Sequence, residues 1–350
     1  MKKIFTFALL AGMCTSLAFA SQTRIDSLGI ADWMIEEDDS LMWMNPARVG
    51  ESAGNVWAEW PAGGPIGTGY NPTALANPWG GISKSLDLFD FAVFVGKRYT
   101  GNLGLTGTTD PNFGPSVGLP TDIGGVFSGT SMDSTTPTGK FDFLVGMTKN
   151  ERQFGARVSL ASDSRVNEAD VSQGTPVFFA ADFEESFKNS DIELAIGMKT
   201  ADVWKFESLD LVAQLNMMNA KNLATYSEFD PATNRIELVE ENVFDFDGKM
   251  GLSAMARGVL PFGTGKLVTK AKFASMDVSS KYSEKVDMDF DYKIDNFGTD
   301  IDRIQIREHK GSEILVGAAM NTPITERTLM ILGLSLSNTK ETLNKKKKSS

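Results

Sequence analysis

Cysteine occurs once in the 350 residues, at Cys14, and histidine once, at His309. One thiol cannot build a disulfide framework, and one imidazole cannot build a zinc centre that needs several. A Ser-His-Asp arrangement would have to use His309, whose neighbours Lys310 and Gly311 suit a surface or strand-end position. No Gly-x-Ser-x-Gly elbow occurs. Positive charge is also in short supply: 34 Lys and Arg against 45 Asp and Glu leave −11, which argues against a nucleic-acid partner. Nothing singles out a catalytic pair among so many acids, so neither an enzyme nor a cofactor is expected. Long apolar runs are missing as well. Beyond residue 20 none approaches the roughly 18 residues of a spanning helix, which leaves an exported chain either soluble or a barrel.

Export is the expectation from the first residues. Met1-Lys2-Lys3, an apolar run over residues 4–13, and Ala18-Phe19-Ala20 make the three-part pattern of a signal peptide, 1–20, cut before Ser21. A lipidated Cys14 is the competing account, and Met13 fills the small-residue place that it would need. About 330 residues would remain, enough for two ordinary domains or one large all-β unit.

Period two then dominates. Phe141, Phe143, Val145 and Met147 alternate with Asp142, Leu144, Gly146 and Thr148. Phe154, Ala156, Val158 and Leu160 alternate with Gly155, Arg157 and Ser159. The same holds for Ile192 to Met198 against Asp191 to Gly197, and for Leu209 to Met217 against Asp210 to Asn216. It returns in the windows 249–257, 267–273, 313–320 and 330–337. Such alternation is the strand signal. One face is nearly all apolar, while the other carries Arg157, Glu193, Lys249, Arg257, Lys270, Lys272 and Glu313, as a wet lumen allows. Short links (149–152, 201–204, 258–265, 321–326) alternate with long polar loops expected at 100–138, 163–189, 219–241 and 278–310. Short turns on one side and long loops on the other favour an all-β, single transmembrane antiparallel barrel of about 12–14 strands over a soluble sandwich. The expected organisation is a segment 21–50, a barrel 51–338 and a basic, solvated periplasmic tail 339–350.

Two motifs fall away. The stretch Gly263-Thr264-Gly265-Lys266 lacks the flanking residues of a phosphate loop and reads as a turn. Asp287, Asp289 and Asp291 share a face, yet their spacing lacks the glycine and glutamate of a calcium loop, so a solvated acidic loop is expected and no metal site. The six tryptophans concentrate near the N-terminal quarter; aromatics at strand ends suit an interfacial girdle, whereas Trp33 and Trp43 precede any strand.

The stretch 23–50 contains Gly29, then Asp38-Asp39, then Leu41-Met42-Trp43-Met44 and Asn45-Pro46-Ala47. It resembles the N-terminus of the outer-membrane long-chain fatty-acid channel family and its secretion-associated barrel relatives. The resemblance implies a barrel of about fourteen strands with this segment as a hatch inside it, and a sideways route for apolar solutes. Arg48 stands where the family has a small residue. On physical grounds Asn45 would bond backbone groups in a turn, and Pro46 would fix the chain direction. Leu41, Trp43 and Met44 would fill space, while Asp38 and Asp39 would pair with Arg157 or Arg257. A plain turn into the first strand is the competing account. The functional expectation is a non-catalytic outer-membrane channel for small solutes, apolar ones included by the resemblance. Its surroundings would be outer-membrane lipid and lipopolysaccharide. The alternative is a scaffold that holds a surface or secretion partner through long acidic loops.

Overall fold

The computed structural model describes residues 32–35, 39, 41–59, 79–96, 139–173, 179–230, 235–286, 301–325 and 328–349. The expected signal peptide, the loop 100–138 and Asp287, Asp289 and Asp291 lie outside the described residues. Eleven strands stand among them, one fewer than the lower end of the expected range. They are β1 (Val56–Glu59), β2 (Trp79–Ser85), β3 (Asp90–Val95), β4 (Gly139–Lys149), β5 (Arg152–Gln173), β6 (Phe179–Val203), β7 (Phe206–Asp230), β8 (Arg235–Phe262), β9 (Gly265–Val286), β10 (Ile301–Thr325) and β11 (Thr328–Ser349). Each pairs antiparallel with the next, so the chain forms one meandering all-β sheet with β1 and β11 at its edges among the described residues.

Tight turns set the register. Asn150 and Glu151 both take positive φ, 51° and 63°, between the paired residues Lys149 and Arg152. This is the two-residue hairpin whose backbone twist matches that of the strands it joins. Gly263 (φ 62°) begins the corresponding turn between Phe262 and Gly265, so the link expected over 258–265 contracts to two residues.

Two expectations are corrected at the other end of the strands. The polar stretches at 163–189, 219–241 and 278–310 are not loops: most of each extends the hairpins β5–β6, β7–β8 and β9–β10. Their side chains lack an apolar face, which is why they read as loops. The ladder needs only backbone N–H and C=O groups, and in-register pairing runs on from Ser162↔Ser190 to Gln173↔Phe179. The basic end is likewise not a solvated tail. Residues 339–349 continue β11 against β10, with Lys346 Nζ 3.1 Å from Glu308 Oε1. Strands β5 to β11 therefore run 22 to 28 residues, roughly 75–95 Å.

The sheet has two unlike faces. The inner one carries the N-terminal segment: the 3₁₀ turn Asp32–Met34, one helical turn α1 (Leu41–Met44) and the 3₁₀ stretch Pro46–Ser52. Buried on this face are Asp142, Arg157, Glu193, Asp210, Arg257 and Glu313, each at most 2% exposed. On the outer face Phe141, Phe143, Val158, Leu194, Ile196, Val316 and Leu334 are exposed. A water-soluble sheet buries its apolar residues and exposes its charges. Here the outer face reverses that order, and the inner face buries charges beside apolar side chains such as Phe94 and Leu144.

Candidate functional site

Local chemistry shapes the N-terminal segment. Asn45 is extended (φ −131°, ψ 106°) and caps the 3₁₀ stretch, its side-chain oxygen accepting from the Ala47 N–H at 3.0 Å. Pro46 takes the first helical place, where its missing N–H costs nothing. Asn45, Pro46 and Ala47 are all buried. The wall is cut to receive them. A Cβ on Gly197 would collide with the Asn45 side-chain oxygen, and one on Gly155 with the Pro46 carbonyl and the Ala47 nitrogen. Two glycines on neighbouring strands thus form the seat of the Asn-Pro-Ala turn.

Apolar contacts flank that seat on both sides. Met42 and Val49 join Trp57, Trp79, Ala92, Phe94 and Leu144 in one cluster. Phe94 lies at its centre, with the rings of Trp43, Trp57 and Trp79 at 4.5, 5.1 and 5.9 Å. Trp33 joins Val259, Val268 and Ala319, with Met34 and Met44 packed on them. Full burial of such a side chain contributes about 1.5–3 kcal/mol, so the segment is held firmly at either end.

Asp210 holds the middle. Its Oδ1 accepts from Asn45 Nδ2 at 2.7 Å and Arg48 Nε at 2.8 Å, and its Oδ2 from Arg48 Nη2 at 2.8 Å and Arg257 Nη1 at 3.2 Å. One buried carboxylate thus binds two side chains of the segment and one of the wall. Burial pulls the Arg48 guanidinium toward neutrality, but its hydrogen bonds and charge attraction to Asp210, with help from Glu51, outweigh this and raise its pKa. A raised value keeps Arg48 charged at every pH below the ordinary guanidinium range. Its own contribution fades as pH climbs through the raised value, and in acid the pair lasts as long as Asp210 keeps its charge.

Arginines of the wall also grip the backbone. Arg257 donates from Nε to Trp33 O at 2.9 Å and from Nη2 to Ile35 O at 2.6 Å. Arg157 donates to Trp43 O and pairs with Glu193. Asn321 Nδ2 donates to Met34 O at 3.0 Å. Carbonyls at the ends of short helical turns thereby receive donors.

These partners correct one expectation. Asp39 does not meet Arg157 or Arg257; its carboxylate accepts from Ser52 Oγ at 3.1 Å, within the segment. Carboxylates of the wall, Glu193 and Asp210, already neutralise those arginines, leaving them to reach for carbonyls. Asp38 and the side chain of Lys249 lie outside the described residues. Trp43 is half-buried. Lys270 lies with its Nζ 5.8 Å from the Trp33 ring centre, Lys272 is half-buried, and Glu313 is fully buried.

Sequence reasoning missed Arg48 and Asp210 as partners. Arg48 stood out only as a departure from a pattern, and Asp210 as one more polar residue at an alternating position. An arginine beside a capping Asn-Pro turn, with Glu51 a turn later, was the available signal for a buried cation in search of a carboxylate. Among the described residues no group of three His, Cys, Asp or Glu could hold a metal ion. What the arrangement can do is bind one piece of chain tightly to the inner face of a sheet. No protein-family model and no curated protein matches this chain.

Proposed function

We propose that the sheet closes into an outer-membrane β-barrel in which residues 32–52 plug the lumen, and that the protein conducts small solutes without catalysing a reaction on them. The reversed sheet carries this reading. Exposed Phe, Leu, Ile and Val on one face, with buried Arg157–Glu193 and Arg48–Asp210–Arg257 pairs on the other, suit hydrocarbon outside and a filled polar interior.

The dimensions support it too. On β7 the outer-face residues Leu209, Leu211, Ala213, Leu215 and Met217 span about 27 Å along the strand, or about 20 Å across the bilayer at the usual tilt, close to the apolar band of such barrels. Closure belongs to the proposal, because in hydrocarbon the open edges of β1 and β11 would carry unpaired backbone groups at several kcal/mol each. The resemblance of residues 23–50 to the fatty-acid channel family adds the hatch and admits apolar solutes.

The test is fractionation with the outer membrane, together with gel mobility that changes on heating. Release with the soluble fraction after osmotic shock would sink the reading. Deleting residues 23–47 should then raise single-channel conductance while the barrel stays assembled; unchanged conductance would remove the plug from the account. A second reading, a scaffold for a surface or secretion partner, is favoured by the polar hairpins that continue beyond the apolar band. A purified barrel that stays silent in planar bilayers even after the deletion, yet retains such a partner, would favour it.

A further inference from the structure

Four strands repeat one order of residues where the apolar band ends. Along the outer face β6 runs Ile192, Ser190, Lys188, and β7 runs Met217, Asn219, Lys221. β10 runs Ile314, Ser312, Lys310, and β11 runs Leu336, Asn338, Lys340. In each case the residue that ends the continuous apolar run is exposed, a small polar residue follows two places on, and an exposed lysine two places beyond that; farther out, Leu223 on β7 and Ile306 and Ile304 on β10 return to the same face. Strand β9 departs in one respect: after Phe273 and Ser275 it offers Asp277, whose Oδ2 lies 3.1 Å from Lys310 Nζ on the next strand.

Lys188 and Lys221 are directly opposite in the β6–β7 register. Like charges in that relation repel; on their other sides Lys188 faces the uncharged Ser164 of β5, while Lys221 faces Asp245 of β8. An anion set between the two ammonium groups turns the repulsion into two charge-assisted hydrogen bonds. Four residues above the end of the continuous apolar run is about 13 Å along a tilted strand, and a lysine can lower its ammonium several ångströms toward the head groups from there.

Resting on the barrel reading above, we infer that Lys188 and Lys221, seconded by Lys310 and Lys340, form a basic collar that binds phosphate-bearing lipid head groups at one edge of the apolar band. The collar fixes the depth at which the barrel sits and selects anionic lipid around β6 and β7.

The experiment places the full chain in nanodiscs of phosphatidylcholine with a minor share of phosphatidylglycerol and measures the lipid that remains bound after detergent extraction. Phosphatidylglycerol should be enriched by the native protein, and enrichment should fall about five-fold for each lysine removed in the Lys188→Gln, Lys221→Gln double variant. The Lys188→Arg, Lys221→Arg variant should retain it. Raised salt should weaken it. Equal enrichment by native and Gln variants overturns the collar. So does inorganic phosphate that displaces the lipid at millimolar concentration, because the site then reads free phosphate rather than a head group. Failure of the native protein to enter nanodiscs, or to show heat-modifiable mobility there, removes the barrel reading itself. Normal insertion with unselective lipid removes only the collar.

Discussion

Along β6 the outer face passes from Met198, Ile196, Leu194 and Ile192 to Ser190, Lys188 and Ser186, and the same change on β7, β10 and β11 divides the sheet into two regions. Near the short turns, the strands are flanked by apolar side chains outside and by the N-terminal segment inside. There the inner-face charges are buried and paired, as in Arg48–Asp210 and Arg157–Glu193. Farther out, the visible cross-strand pairs are solvent-facing, such as Lys285–Glu241 at 2.9 Å and Lys346–Glu308 at 3.1 Å, and exposed pairs of this kind are worth about 0–1 kcal/mol. One ladder of backbone hydrogen bonds runs through both regions. Identical secondary structure thus stands beside buried side-chain packing in one region and, among the described side chains of the other, beside exposed ion pairs.

Substitutions can break or sharpen that contrast. The largest effect is expected from Asp210→Ala, which leaves Arg48 and Arg257 without their shared counter-charge and should cost about 3–5 kcal/mol. A urea midpoint would read the loss, and hydrogen exchange should show it spread over residues 33–48 while the outer hairpins keep their protection. Next comes Leu334→Arg on the outer face, expected to cost about 2–4 kcal/mol in a bilayer and far less in detergent-free water. Thr342→Arg, farther along the same face of β11, should be nearly neutral. Equal costs in refolding titrations from vesicles would erase the boundary between the two regions.

Gly197→Val should cost about 1–3 kcal/mol by overpacking the seat of Asn45 and Pro46. Limited proteolysis should then cut within residues 41–52 before it cuts the strands. Asn45→Ala is the mildest. It removes the cap on the Ala47 N–H and the donor to Asp210, and about 1 kcal/mol is expected in the same urea titration. A loss as large as that of Asp210→Ala would mean that Asn45, rather than the carboxylate, holds the segment.

The near region was legible in the sequence and the far one was not. Alternation such as Phe141-Asp142-Phe143-Leu144 assigns each side chain to a face, and the placement of Arg157, Glu193, Arg257 and Glu313 on the inner face follows that parity. Beyond Leu160 or Met217 no continuous apolar face remains to mark the period, so the strands there look like loops in the sequence. The pairing of Arg48 with Asp210 spans 162 residues, and no local pattern encodes such a distance. The acids at Asp38 and Asp39 attracted attention because charge is visible in a sequence. Carbonyl groups, which receive Arg157 and Arg257 in the structure, belong to every residue and mark none.

The Asp210 junction also bears on the order in which the chain can assemble. Asn45 and Arg48 precede their carboxylate by 165 and 162 residues, and Trp33 precedes Arg257 by 224. Contacts so distant in the chain carry a large closure entropy and form late. Until they form, β7 and β8 present a carboxylate and a guanidinium to each other with half their partners missing. The N-terminal segment therefore serves as the keystone of the wall: strands can zip in sequence, but the arch sets only when residues 33–48 drop into place. Refolding watched by the burial of Trp33 and Trp43 should accordingly lag behind the appearance of β-structure in circular dichroism.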